Sequence, residues 1–160
     1  MSLPPLEPIS KYDPTRYIDE IFSIFDKDIA NGGLSLLGLP IKCIWHKPSD
    51  NKHFSFWHIF SEKGETDLEE DRIPSIERCE KVRWIPYIIK NAMDDDLVWC
   101  WEKSVRTGRG RNTHVLLYLH QEKFLVVFRR KANRLELVTA YPKHNYKKMQ
   151  KERARYLDPR

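Results

Sequence analysis

Several strand-like stretches of the sequence carry a polar side chain at the same alternating positions as their apolar residues. These polar side chains are His58, Arg130, Thr139 and Tyr141. Because alternate residues of a strand share a face, we expect the four side chains to line one cleft at the edge of the core. A register shift of one residue would turn Arg130 out of that cleft and bring Arg129 into it.

Imidazole, guanidinium and hydroxyl groups in one cleft suit the cleavage of RNA by its own 2′-hydroxyl. The nucleophile then belongs to the substrate, so the protein needs a proton acceptor, a proton donor and groups that stabilise the phosphorane. Histidine can take either proton step near neutral pH, and arginine binds phosphate through a planar fork of donors. The products are a 2′,3′-cyclic phosphate and a 5′-hydroxyl end. We expect His58 to be the general acid or base, with Arg78 and either Arg130 or Arg129 on the phosphate, and with Thr139 and Tyr141 orienting it.

The positive charge of the chain is concentrated towards its C-terminus. Residues 1–102 contain 12 Lys and Arg against 19 Asp and Glu, whereas residues 103–160 contain 16 against 4. Such a segment suits a polyanion, because Lys and Arg contacts to phosphate supply most of the non-specific affinity for nucleic acid. A basic face that only keeps the protein soluble is the alternative. The residues expected to bind RNA outside the cleft are Arg106, Arg109, Arg111, Arg129, Lys147, Lys148 and Lys151.

The N-terminal half is predicted to supply helices and one hairpin. Apolar residues recur at helical spacing over 14–30. The β-rich runs 41–46 and 53–60 flank a turn-forming segment and predict a β-hairpin. The acidic segment 61–71 predicts a loop, and a second helical stretch begins at Pro74 and should be broken near Trp84 by Pro86.

The C-terminal half is predicted to be a meander closed by a helix. Four strand-like runs are separated by short turns and occupy 97–103, 113–120, 124–129 and 135–141. Short connections imply antiparallel neighbours, and a basic helix follows at about 144–157. The expected fold class is α+β: a poorly ordered leader over 1–13, then one domain over 14–160 in which N-terminal helical material packs on a curved antiparallel β-sheet.

The sequence also excludes several classes of protein. It contains no apolar run of about 18 residues and no pattern of a secretory signal. Its 3 cysteines form no Cys-x-x-Cys pair, which argues against a disulfide scaffold or structural zinc and fits a reducing cytoplasm. The carboxylates at 94–96 and the scattered histidines lack metal-ligand spacing. We therefore expect a cytoplasmic protein with no membrane contact, no metal and no cofactor.

The order of several short motifs is similar to that of a nuclease superfamily. The motifs are Phe56-Trp57-His58, Arg72-Ile73-Pro74, Arg78-Cys79-Glu80 with Trp84, and Leu137-Val138-Thr139-Ala140-Tyr141-Pro142. Over about residues 40–150 the chain resembles the phage- and prophage-associated nucleases of the barnase/EndoU/colicin/RelE-like superfamily. The resemblance implies a RelE/barnase/EndoU-like fold, metal-independent endoribonuclease activity of a toxin or phage-defence type, and an antitoxin or immunity protein as partner. It assigns the family's Trp-His motif to Trp57 and His58, its helical arginine to Arg78, and its closing motif to Thr139, Tyr141 and Pro142.

Two other functions fit the same residues. A non-catalytic nucleic-acid-binding module of the same fold would use the arginines as phosphate contacts and the aromatic residues as core. A protein-interaction domain would use its acidic N-terminal part to bind a basic partner. The first predicts salt-sensitive binding without turnover, and the second predicts binding to a protein without nucleic acid.

Overall fold

Tight turns join the four C-terminal strands into the antiparallel meander that the sequence predicts. In the computed structural model, which describes residues 2–68 and 71–160, these strands pair in chain order. They are β5 (Val98–Thr107), β6 (Gly110–Leu119), β7 (Phe124–Arg130) and β8 (Leu135–Pro142). Gly110 begins β6 with φ of 121°, a conformation that residues with a Cβ rarely adopt.

Two short strands extend the sheet beyond β8 and make it mixed rather than wholly antiparallel. They are β1 (Ser35–Leu36) and β2 (Leu39–Cys43), and the sheet order is β1-β2-β8-β7-β6-β5. The β2 strand runs parallel to the start of β8, from Ile41 beside Leu135 to Cys43 beside Leu137. A parallel pair needs a long crossover, and here all of the chain between β2 and β8 provides it.

The run predicted as the second strand of a hairpin is a helix, α2 (Phe54–Phe60). Its buried residues are Ser55, Phe56, Ile59 and Phe60, which recur at helical spacing. The hydroxyl of Ser55 donates to the carbonyl oxygen of Leu137 and accepts from the backbone N–H of Ile44, so α2 is tied to β8 and to the segment after β2. The alternation of aromatic residues in this run therefore did not indicate a strand, and His58 lies on a helix.

The remaining helices confirm the other helical predictions. They are α1 (Tyr17–Phe25), continued by a π-helical turn at Asp26–Ala30, then α3 (Ile76–Glu80), α4 (Trp84–Lys90) and α5 (Tyr146–Arg155). The break between α3 and α4 comes just before Pro86, which lies in the first turn of α4, where a missing N–H costs no helical hydrogen bond. A small ribbon of β3 (Ser61–Glu62) and β4 (Ile73–Pro74) flanks the predicted acidic loop, of which residues 69 and 70 lie outside the described ranges.

The N-terminal segment makes defined contacts with α4 where it is described. Glu7 is buried, and its carboxylate pairs with Arg83 at 2.9 Å. The indole N–H of Trp84 donates to the carbonyl oxygen of Pro4. The leader therefore packs against the start of α4, because that junction offers a cation and a donor that composition alone does not reveal.

Each face of the sheet has its own apolar cluster. On the first face, alternate residues of β5–β8 pack against α1, α2 and α4 in the main core. On the second face, α5 contributes Met149 to a smaller cluster. The strand residues of that smaller cluster are Trp99, Trp101, Leu116, Tyr118, Leu125 and Val127.

A β-bulge at Val138 changes which side chains of β8 reach each face. Leu137 pairs with Phe128 and Thr139 pairs with Val127, so Val138 is an extra residue on β8. A bulge breaks the alternation of side chains along a strand. Before the bulge Leu135 and Leu137 face the helical core, whereas Thr139 faces the second side with its partner Val127.

The bulge overturns the prediction that Leu137, Thr139 and Tyr141 share one face. Leu137 belongs to the main core, whereas Tyr141 packs on the second cluster. Arg130 pairs with Leu135, on the main-core side of the bulge. Thr139 and Tyr141 therefore lie on the opposite face of the sheet from Arg130.

Candidate functional site

A pocket of about 300 Å³ opens on the second face of the sheet, between the strands and α5. Apolar side chains of β6 and β7 form part of its lining. Its polar lining residues are Lys103, His114, Thr139, Tyr141, Lys143, Lys148 and Glu152. This second-face pocket contains two of the predicted catalytic residues, Thr139 and Tyr141, and one predicted RNA-binding residue, Lys148.

A row of polar residues crosses the meander on the face that carries the pocket. Lys103 lies opposite His114, His114 lies opposite Arg129, and Arg129 lies opposite Glu136. The guanidinium of Arg129 pairs with the Glu136 carboxylate at 2.7 Å. Because cross-strand partners share a face, the imidazole of His114 stands between two cationic side chains.

The surroundings of His114 favour its neutral form. Burial lowers the pKa of His114, and the positive charges of Lys103 and Arg129 lower it further. A neutral imidazole at neutral pH has an unprotonated nitrogen that can accept a proton. His114 therefore has the properties of a general base, in a pocket whose cations suit a phosphate.

Glu152 of α5 holds the Lys103 ammonium inside the pocket. The ammonium lies 2.5 Å from the Glu152 carboxylate, which also accepts a hydrogen bond from the indole N–H of Trp101 at 3.2 Å. Burial acts to raise the pKa of Glu152, but these two hydrogen bonds and the positive charges of Lys103 and Lys148 together place the pKa below its ordinary value. The carboxylate is therefore ionised and fixes α5 against β5.

Tyr141 is a potential proton donor among the residues that line the pocket. Burial raises the pKa of its phenol, although Lys103 and Arg78 act in the opposite direction. The guanidinium carbon of Arg78 lies 5.6 Å from the centre of the Tyr141 ring, and the ammonium of Lys143 lies 5.9 Å from it. The phenol keeps its proton at neutral pH, and cations near its ring would stabilise the phenolate formed when that proton is given up.

The structure places His58 beside the pocket but brings its backbone, rather than its ring, to Thr139. The Thr139 hydroxyl donates to the carbonyl oxygen of His58 at 2.9 Å. The imidazole lies against the ring of Phe54, with 4.0 Å between the ring centres. Arg78 donates to the carbonyl oxygen of Ser61 at 3.1 Å, so it closes the end of α2. His58 and Arg78 therefore support the wall of the pocket and are not among its described lining residues.

Arg130 is the predicted catalytic residue that the structure separates from the others. Its guanidinium pairs with Glu102 at 2.9 Å on the opposite face of the sheet. Arg129 lies on the pocket face instead, because the bulge in β8 turns Thr139 and Tyr141 to the face that Arg129 shares with Val127.

Apart from Arg129, the predicted RNA-binding residues fall into two groups. Arg106, Arg109 and Arg111 are exposed at the β5–β6 turn, where Arg111 donates to the hydroxyl of Ser104. Lys147, Lys148 and Lys151 are exposed on α5. Of these six residues, Lys148 is the one that lines the second-face pocket.

Sequence reasoning missed His114 and Lys103 as site residues. The sequence contains part of the evidence for His114, because this residue alternates with Leu116 and Tyr118 in a predicted strand. Its partner across the turn, Lys103, follows from the pairing register of β5 and β6. The decisive fact is that this face is covered by α5, which no local pattern predicts.

Within residues 2–68 and 71–160, no group of three or more His, Cys, Asp or Glu side chains is arranged to hold a metal ion. In the same ranges, each helix is too short or too polar to cross a bilayer.

No protein-family model matches the chain, and no curated protein and no solved structure is significantly similar to it. The geometry of the second-face pocket is therefore the main indication of function.

Proposed function

We propose that this protein is a metal-independent endoribonuclease that cleaves RNA through attack by the substrate's own 2′-hydroxyl. The proposal depends on one observation: the imidazole of His114 is kept neutral between two cations, in a pocket that Tyr141 also lines. The pocket offers a proton acceptor, a proton donor and cations for a phosphate, which are the groups that this reaction requires.

In the proposed reaction, His114 takes the proton of the 2′-hydroxyl as the 2′-oxygen attacks phosphorus. The bond from phosphorus to the 5′-oxygen breaks, and the Tyr141 phenol donates its proton to the departing oxygen. The products are a 2′,3′-cyclic phosphate and a 5′-hydroxyl end. His114 and Tyr141 then return to their starting forms by exchanging protons with water.

The pocket cations stabilise the negative charge that develops on the phosphorane. Lys103 is held in place by Glu152, and Lys148 lines the same pocket from α5. Thr139 adds a hydroxyl to the pocket wall while its hydrogen bond to α2 fixes its position. Arg78 acts through Tyr141, as a positioning residue beside its ring.

A toxin or phage-defence role belongs to the same proposal. A cell that makes a general ribonuclease needs an inhibitor, so an antitoxin or immunity protein is the expected partner. The cytoplasm is the expected compartment, in keeping with the free thiols of Cys43, Cys79 and Cys100. Helical material packed on an antiparallel meander supports the RelE/barnase/EndoU-like assignment.

The test is cleavage of labelled RNA by the purified protein in excess chelator. We expect products with 2′,3′-cyclic phosphate ends, and no cleavage where the nucleotide 5′ to the scissile phosphate carries a 2′-deoxyribose. His114→Ala should lower kcat by about 10²-fold or more. Loss of wild-type cleavage in chelator, or unchanged cleavage by His114→Ala, would contradict the mechanism.

A non-catalytic nucleic-acid-binding module is the second candidate function. The exposed arginines at the β5–β6 turn favour it, because they lie at a tip and can bind phosphates without any chemistry. This candidate predicts salt-sensitive RNA or DNA binding by the wild-type protein, with no product in the cleavage assay.

A further inference from the structure

A second hollow, of about 220 Å³, runs along α5 next to the second-face pocket. Its lining residues are Lys148, Lys151, Glu152, Arg155 and Tyr156. Lys148 and Glu152 line both hollows, so the two are adjacent. The four helical residues recur at spacings of three and four, which places them on one face of α5. We call this second hollow the α5 groove.

The α5 groove presents a net positive charge. Lys148, Lys151 and Arg155 are exposed. Glu152 is the acidic residue among those that line the groove, and its carboxylate pairs with the Lys103 ammonium at 2.5 Å. Two turns of helix separate Lys148 from Arg155, so the cations extend about 10 Å beyond the pocket. A row of cations of that length suits consecutive phosphates better than a single anion.

An aromatic side chain lies at the far end of the α5 groove. Tyr156 follows α5 directly, and its ring lies 5.3 Å from the guanidinium carbon of Arg155. Its backbone is held on both sides: its N–H donates to the carbonyl oxygen of Glu152, and the carbonyl oxygen of Leu157 accepts from the N–H of Glu102 on β5. The Tyr156 side chain also packs against the second-face apolar cluster, which holds it beside the cations. A cationic groove with an aromatic platform is the composition of single-strand nucleic-acid sites.

We propose that the α5 groove binds the nucleotides on one side of the scissile phosphate, and that the RNA bound there is single-stranded. The proposal rests on the function proposed for the second-face pocket. Lys148, Lys151 and Arg155 bind successive phosphates, and a base stacks on the ring of Tyr156. A duplex fits less well, because its bases are stacked on each other and cannot reach the ring.

The first test measures binding without cleavage, in the His114→Ala protein with fluorescently labelled RNA. We expect single-stranded oligouridine to bind at least about tenfold more tightly than a duplex of the same length. Adding Lys151→Ala and Arg155→Ala should weaken single-strand binding about tenfold and lower the salt slope by about two. The matched charge control is Lys90→Ala, an exposed lysine on α4 that should leave binding unchanged.

The aromatic platform is tested by comparing two substitutions of Tyr156. Tyr156→Phe keeps a ring for stacking and should bind single-stranded RNA like its parent, whereas Tyr156→Ala should bind several-fold more weakly. Equal binding by the two variants, or a Lys151→Ala/Arg155→Ala protein that behaves like Lys90→Ala, would overturn the proposal. Equal affinity for duplex and single strand would also overturn it.

The second test separates the α5 groove from the cleavage chemistry. In the otherwise wild-type protein, Lys151→Ala/Arg155→Ala should raise KM for a long single strand with little change in kcat, and should not affect a dinucleotide that fills only the second-face pocket. An equal effect on both substrates contradicts the groove while leaving the proposed ribonuclease intact. If the wild-type protein cleaves no RNA, the proposed function fails, and the binding test still decides the groove.

Discussion

The side chain of Thr139 is hydrogen-bonded to the backbone of His58: its hydroxyl donates to the His58 carbonyl oxygen at 2.9 Å. This bond joins β8, just after its bulge, to α2. The imidazole of His58 lies against Phe54 instead of lining the second-face pocket. His58, the histidine that the sequence indicated as catalytic, therefore supports the pocket wall, whereas His114, which the sequence did not indicate, lines the pocket.

The first prediction compares these two histidines. We expect His58→Ala to keep kcat within about threefold of wild type, because the Thr139 bond uses a backbone atom that the substitution retains. His114→Ala should lose about 10²-fold or more. Both variants are assayed on one RNA in chelator, with circular dichroism to compare their folds. A larger loss for His58→Ala than for His114→Ala would reverse the assignment.

The second prediction concerns the pH dependence of activity. The positive charges of Lys103 and Arg129 help to lower the pKa of His114, after burial as the main cause. Removing the cation in Lys103→Ala favours the protonated imidazole, so the pKa of His114 should rise. The acid limb of kcat/KM should then move to higher pH, because the neutral base appears only above that pKa.

The measurement for this prediction is an NMR titration of the His114 ring, which does not depend on activity. Arg130→Ala is the matched control, because it removes a cation from the opposite face of the sheet. The control should leave the His114 titration unchanged. An unshifted His114 in Lys103→Ala would contradict the electrostatic argument.

The third prediction concerns acid stability and the leader. Burial acts to raise the pKa of Glu7, but hydrogen bonds from Tyr12 and Arg83 outweigh it and lower the pKa from 4.5 to about 2. A carboxyl with a lowered folded-state pKa stabilises the fold fully above its unfolded value, and that contribution is lost as the pH falls from about 4.5 towards 2. Glu7→Gln should therefore lower the free energy of unfolding at pH 7 by about 1.5–3 kcal/mol.

The difference between wild type and Glu7→Gln should shrink as the pH falls from 4.5 towards 2. Urea unfolding at several pH values measures it, and Glu20→Gln on the exposed face of α1 serves as the control. A constant difference between pH 7 and pH 3 would show that the Glu7 charge is not what stabilises the leader.

The fourth prediction tests the link between α2 and β8. The buried hydroxyl of Ser55 donates to the carbonyl oxygen of Leu137 at 2.6 Å and accepts from the N–H of Ile44 at 2.7 Å. Ser55→Ala removes both of these buried hydrogen bonds, so it should cost about 1–3 kcal/mol of unfolding free energy. Ser23→Ala, at an exposed position of α1, should cost much less. Similar losses for the two variants would mean that the Ser55 bonds add little.

The sequence by itself determined the meander, the helix at each end of the domain and the basic C-terminal segment. Each of these depends on local information: short turns leave antiparallel strands no other partner, and a helical period over ten or more residues is hard to mistake. The run 53–60 is shorter, and its alternating aromatic residues fit a strand as well as a helix. The burial of Ser55 and Ile59, four residues apart, agrees with the helix that the structure has.

Only the tertiary structure decided which polar side chains meet. The bulge at Val138 reverses the facing of Thr139 and Tyr141, and no residue type in β8 marks its place. The row that brings Lys103 beside His114 depends on strand register, and the pocket around it exists because α5 covers that face. Register and helix docking are set by long-range packing, and local sequence patterns do not contain that information.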